Sequence, residues 1–177
     1  RQTVETTREP MKAVPGVTEV YSDGSAMFPR DHQPPTAAWG IAWKAANQWR
    51  VEAGICPGRH TSARAELWAA LQACRVIESR GTVVTDCKSN AKGLARVIQW
   101  QSLPKWLAKT TAGDLWTQAV PAVKGKDIQV VWIPSHQTPE QLAEKGRNPR
   151  WHEGNKLADE AAGQRCETLQ PSQQLVE

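Results

Sequence analysis

The spacing of apolar and polar residues changes period several times along the chain and predicts its elements in order. Val17 to Ser22 reads as a strand. After a polar, proline-containing turn, Trp39, Ile41 and Trp43 recur at period two, as in a strand packed on one face, and Trp49 to Cys56 follows as a third strand. Three consecutive strands predict an antiparallel meander. The period then becomes helical: Leu67, Ala70, Leu71, Cys74 and Ile77 form one stripe, with Thr61 or Ser62 placed to cap the helix and Gly81 to end it. Thr82 to Asp86 reads as a short β-branched strand and Ser89 to Trp100 as a helix. Pro104 interrupts before a helical stretch from about Ala112 to Val123. Ile128 to Ile133 is a buried strand stopped by Pro134, and after a long polar loop the last helix spans His152 to Arg165. The order β-β-β-α-β-α-α-β-α implies an α/β fold with a five-stranded mixed sheet. Three antiparallel strands continue into two parallel ones joined through helices, and helices flank the faces.

Residues 1–16 and 167–177 are polar and carry neither period, so a flexible leader or linker and a flexible tail are expected around one domain over 17–166. A length of 177 residues and an apolar share of 40% suit a single buried core. No apolar run reaches membrane-spanning length and no signal segment opens the chain, so an intracellular, soluble protein is expected. The missing initiator Met suggests an excised fragment or an engineered chain. Cys56, Cys74, Cys87 and Cys166 contain no CxxC pair and do not predict a disulfide framework or a disulfide-linked partner. Cys56 and His60 have a spacing that zinc could use, but no second pair completes four ligands. A net charge of +4 and a pI near 9.0 are compatible with a polyanionic partner without demanding one.

The acids change the picture. Asp23 and Asp86 each close an apolar strand, whereas a turn would account for either alone. Glu66 lies one turn inside the first long helix and Asp159 one turn inside the last, where a solvated surface is the ordinary explanation. All four occupy elements expected to neighbour one another across one sheet, and four converging carboxylates cannot all ionise without cations. Hard oxygen ligands suit Mg²⁺ or Mn²⁺, and two such ions about 3.5–4 Å apart form a clamp for in-line displacement at phosphorus. The implied chemistry is phosphodiester hydrolysis.

Five blocks then fall into a known order: Tyr-Ser-Asp-Gly-Ser at 21–25, Thr-Ser-Ala-Arg-Ala-Glu-Leu at 61–67, Val-Val-Thr-Asp-Cys-Lys-Ser-Asn at 83–90, Ile-Pro-Ser-His at 133–136 and Gly-Asn-Lys-Leu-Ala-Asp-Glu-Ala-Ala at 154–162. Over roughly 17–165 the chain resembles the ribonuclease H family, most of all the ribonuclease H domains of retroviral and retrotransposon reverse transcriptases. The resemblance implies a ribonuclease H-like fold and an endonuclease that cuts the RNA strand of an RNA/DNA hybrid. It makes Asp23, Glu66, Asp86 and Asp159 the metal-binding acids, and His136 the histidine of a mobile catalytic loop that assists proton transfer or product release. It also implies an adjacent polymerase domain in the same polyprotein.

By the same resemblance, Arg59 and Thr61 match the grip on a DNA phosphate. Ser62, Asn90 and backbone groups are left to meet the RNA strand, because Ala63 stands where many members carry an amide, and Asn155 is a further substrate-binding residue. From Lys88 to Lys126 there are seven Lys/Arg and one acid, with Trp100, Trp106 and Trp116 interleaved. Trp116 reads as core, and Trp100 and Trp106 as a channel for the DNA strand. The segment between Trp100 and Asp114 is short, which predicts weak hybrid binding by the domain alone, and the loop 137–153 is long, with Lys145, Arg147, Arg150 and Trp151 available for substrate. A proofreading exonuclease would carry a second acid at Ser25, and a transposase would not predict the block at 61–66. A stand-alone cellular ribonuclease H, or a non-catalytic nucleic-acid-binding module of the same fold, is the alternative.

Overall fold

Strand β1 (Glu19–Met27) pairs antiparallel with β2 (Thr36–Ala45), and β2 pairs antiparallel with β3 (Gln48–Ile55). The β2–β3 hairpin turns on Ala46 and Asn47, both at positive φ, as a two-residue hairpin matched to strand twist requires. On the other side of β1 run β4 (Arg80–Thr85) and β5 (Asp127–Trp132), both parallel. The sheet order is β3-β2-β1-β4-β5, the mixed arrangement that the strand and helix pattern predicts. The computed structural model describes residues 10–28 and 34–169; the expected leader over 1–9 and tail over 170–177 lie outside the described residues.

Two helical layers cover the sheet. On one face α1 (Ser62–Val76), α2 (Lys88–Trp100), the short α3 (Lys105–Ala108) and α4 (Gly113–Val123) bury Leu67, Leu71, Leu94, Val97, Leu107 and Leu115 against Val20, Ile41 and Val83. Trp116 is 4% exposed and belongs to this core, as its position beside Leu115 predicts. On the opposite face α5 (Pro139–Glu144) and α6 (Arg150–Leu169) contribute Leu142 and Ala158 to a smaller core with Tyr21, Ala42, Val84 and Ile133. β2 is buried on both faces: its large residues Trp39, Ile41 and Trp43 enter the first core, while the alternate positions Ala38, Gly40 and Ala42 are small. Period two in β2 therefore marks a size alternation between two covered faces rather than one dry and one wet face.

Several boundaries differ from expectation. β1 continues through Asp23 to Met27, so that acid lies inside the strand rather than at its end, and α6 spans Arg150–Leu169, three residues into the expected tail. α1 ends at Val76, where the amide of Ile77 returns to the Ala73 carbonyl, and Gly81 lies inside β4. A Cβ at Gly81 would lie 2.8 Å from the Thr18 carbonyl oxygen, so this glycine serves a close strand approach rather than a helix stop. The polar loop after Pro134 contains α5, started by Pro139 and by reciprocal capping between Thr138 and Gln141. Within the expected leader, the Met11 amide donates to Gln72 Oε1 at 2.8 Å and the Val14 amide to the Val76 carbonyl at 2.9 Å, so Met11 and Val14 lie against α1.

Of the two candidate caps for α1, Thr61 is the one used: its hydroxyl accepts from the Arg64 amide at 3.2 Å. Thr61→Ala removes that acceptor and is expected to cost about 1 kcal/mol, read as a lower urea midpoint at unchanged m value.

Among the described residues, no helix is long and apolar enough to cross a membrane. The four cysteines are free thiols, and His60 Nδ1 accepts from the Ala37 amide at 2.8 Å.

Candidate active site

Strand register brings the first two acids together. β1 and β4 run parallel with Ser22 opposite Thr85, so Asp23, within β1, and Asp86, the first residue beyond β4, follow side by side. Glycines then let two helices reach this level. A Cβ at Gly24 would lie 2.4 Å from the Glu66 backbone nitrogen, so α1 rests its backbone directly on β1 and delivers Glu66. Gly40 pairs with Asp23 across β1 and β2, and a Cβ there would lie 2.4 Å from the Ala158 carbonyl oxygen, so α6 rests on β2 and delivers Asp159.

Asp23, Glu66 and Asp86 each offer a carboxylate oxygen, and these atoms lie within 4.8 Å of one another. Asp23 is 4% exposed, while Glu66 and Asp86 are half-buried. Asp159 stands outside that set of three but within hydrogen-bonding reach of Asp23, and its charge bears on Asp86. Burial is the largest cause pushing all three carboxyls above the ordinary range. Like charge adds to it: Glu66 and Asp86 act on Asp23, Asp86 acts on Glu66, and Asp159 acts on Asp86. Opposing these, hydrogen bonds from Asp23 to Glu66 and from Ser135 to Asp86 favour the ionised forms of the acceptors.

A cluster that resists ionisation in this way is one that compensating cations would stabilise. Glu66 Oε2 is buried with no hydrogen-bond partner, and the donor set is carboxylate oxygen throughout. Both features fit a hard divalent cation, and the unpartnered oxygen is one that a metal ligand would be expected to keep free.

His136 sits in an exposed turn at φ 55°, a sparsely populated conformation for a residue with a Cβ, and its charge bears on Asp86. Two residues that sequence reasoning passed over also serve Asp86. Ser135 favours the ionised form of its carboxylate, and the Trp132 indole N–H donates to its backbone carbonyl at 3.1 Å. Lys88 and Arg147 approach the same indole, at 5.2 Å and 5.5 Å from a ring centroid. The pairing of Thr85 with Trp132 puts this tryptophan level with the acid; the apolar run 128–133 gave no reason to separate it from core.

The expected substrate contacts are more dispersed. Arg59 and Ser62 are exposed beside the half-buried Thr61 at the start of α1. Trp100 ends α2 and Trp106 lies on α3, each 53% exposed, so neither is drawn into the core. Asn90 is 8% exposed with Nδ2 lacking a partner, and Asn155 is half-buried with Oδ1 lacking one. Arg64, which the sequence did not single out, forks onto Asp114 at 2.8 Å and 2.5 Å and donates to the Pro57 carbonyl, tying the start of α1 to α4.

Comparison with known proteins bears on the fold and the family. The structure is similar to that of the foamy viral protease-reverse transcriptase solved with an RNA/DNA hybrid, at TM-score 0.62 and 21% identity, covering 92% of this chain and 22% of that one. The chain therefore spans about a fifth of that protein's length. A foamy viral protease-reverse transcriptase structure with dsDNA gives TM-score 0.60 at 22% identity, covering 85% of this chain and 94% of that one. LC9-RNase H1, a type 1 RNase H with the type 2 active-site motif, gives 0.50 at 22% identity over 90% of this chain and 76% of that one. No curated protein sequence matches. The RNase H family model matches residues 15–167, a stretch that includes all four acids and His136, and the chain belongs to that family as a ribonuclease H domain.

Proposed function

We propose that the chain hydrolyses the RNA strand of RNA/DNA hybrids as an endonuclease, with two Mg²⁺ ions, replaceable by Mn²⁺, held by Asp23, Glu66, Asp86 and Asp159. The observation that carries this reading is the convergence of three carboxylates within 4.8 Å, one of them with a buried oxygen left unpartnered. Bound divalent ions would supply a nucleophilic water at neutral pH and charge neutralisation at the leaving oxygen. The protein's own contribution is geometric. Ser135 and Trp132 hold Asp86 at side chain and backbone, and His136 stands at the rim where a proton can be taken or given.

Substrate recognition follows the surface around the acids. Arg59, Thr61 and the free amides at the start of α1 take a DNA phosphate. Ser62, Asn90 and Asn155 meet the RNA strand, and Trp100 and Trp106 offer exposed indoles to the DNA strand. The domain works inside a reverse transcriptase or retroelement polyprotein, where a neighbouring polymerase domain raises the local concentration of hybrid. Two things support that context: the similarity to a foamy viral chain of which this one spans 22%, and the short basic segment between Trp100 and Asp114. The purified chain, given a hybrid labelled in turn on each strand, is expected to shorten the RNA label and leave the DNA label intact. Shortening of the DNA label instead overturns the reading.

A further inference from the structure

The turn that carries His136 is held from three directions. His136 adopts φ 55°, in the left-handed region that residues with a Cβ enter uncommonly and mostly in turns. The next residue, Gln137, is fixed at both ends: its side-chain Oε1 accepts from Lys145 Nζ at 3.1 Å, and its backbone carbonyl lies 2.6 Å from His152 Nδ1. The Thr138 amide then donates to Gln141 Oε1, opening α5. α5 is itself anchored, since Leu142 is fully buried beside Tyr21 and Ile133 and its carbonyl accepts from the Arg147 amide at 2.8 Å.

A carbonyl oxygen can only accept. The short contact therefore requires the proton on Nδ1 of His152, whether the ring is neutral or charged. His152 lies in the first turn of α6, the helix that also delivers Asp159. One rigid helix thus carries both an acid of the cluster and the donor that holds the histidine turn.

We propose that His152 is a positioning residue for His136, fixing its turn relative to the carboxylates through an Nδ1–H bond to the Gln137 carbonyl. The inference rests on His136 working in the reaction, as read above. It makes the segment 137–152 a brace rather than a substrate-binding loop. Asn at 152 places an amide N–H near the Nδ1 position, whereas Gln places it near Nε2 and Ala supplies none.

The test pairs spectroscopy with kinetics on the full chain. Nitrogen–proton correlation spectra of the imidazoles are expected to show His152 protonated at Nδ1. On an RNA/DNA hybrid with Mg²⁺, His152→Ala is expected to lower kcat on the order of tenfold with little change in KM. His152→Asn should recover most of that loss and His152→Gln should not. An Nε2–H tautomer at His152, or full kcat in His152→Ala while His136→Ala is impaired, overturns the proposal and leaves the hydrolase reading standing. Full kcat in His136→Ala overturns the role of His136 and the proposal with it, while a wild-type chain inactive on hybrid defeats the hydrolase reading itself.

Discussion

Asp86→Asn is expected to lower the rate of hybrid cleavage on the order of 10³-fold, about 4 kcal/mol of barrier, without unfolding the chain. Asn keeps the size of the side chain and one oxygen that can accept from Ser135, so the local packing survives. What it loses is charge, in a set whose three oxygens lie within 4.8 Å. Because burial and like charge push all three carboxyls up, removing one ionisable member relieves the cluster when no cation is present. The variant should therefore melt at or above the wild-type temperature in EDTA while binding Mn²⁺ more weakly. Rates, melting curves and calorimetric titrations check this together; a variant that retains a tenth of the rate, or that melts well below the wild type, contradicts it.

Gly24→Ala is expected to cost roughly 3 kcal/mol and to weaken Mn²⁺ binding at the same time. The new methyl would lie 2.4 Å from the Glu66 nitrogen and 2.8 Å from the Ala65 carbonyl carbon. Both are backbone atoms, so no side chain can turn aside, and α1 must move off β1 and take Glu66 with it. Gly163→Ala is the control: a Cβ there meets nothing within 4 Å and α6 continues through it, so a gain of about 0.5–1 kcal/mol is expected. A Gly24→Ala protein with wild-type stability and metal affinity would show that the close α1–β1 contact does not position Glu66.

Much of the fold is legible in the amino-acid sequence because it follows from periodicity. The period-two run around Trp39, the stripe from Leu67 to Ile77 and the apolar runs at 82–85 and 128–133 each form the expected element. Asp86 is recognisable because it ends an apolar run, and Asp23 because an acid follows a strand-like segment; the two strands prove parallel and in register, although β1 continues past Asp23 to Met27. What escapes depends on contacts between distant segments. Gly81 resembles a helix stop locally, but the Thr18 carbonyl decides its place in β4. Met11 and Val14 carry no period of their own and acquire structure only by pairing with α1. α5 has a local signal in Thr138-Pro139-Glu140-Gln141, but six residues are too few for a visible stripe. Trp132 and His152 are invisible as site residues because each acts through a backbone carbonyl, and no residue type advertises that.

The proposed function stands or falls on whether the carboxylate cluster holds divalent metal and cuts RNA paired to DNA. The most direct measurement is the cleavage of a uniform RNA/DNA hybrid and of double-stranded DNA of the same sequence by the purified chain, in Mg²⁺ and in excess EDTA. The expected result is cleavage of the hybrid in Mg²⁺ alone, with the DNA duplex intact throughout; cleavage of duplex DNA, or full activity in EDTA, would contradict it.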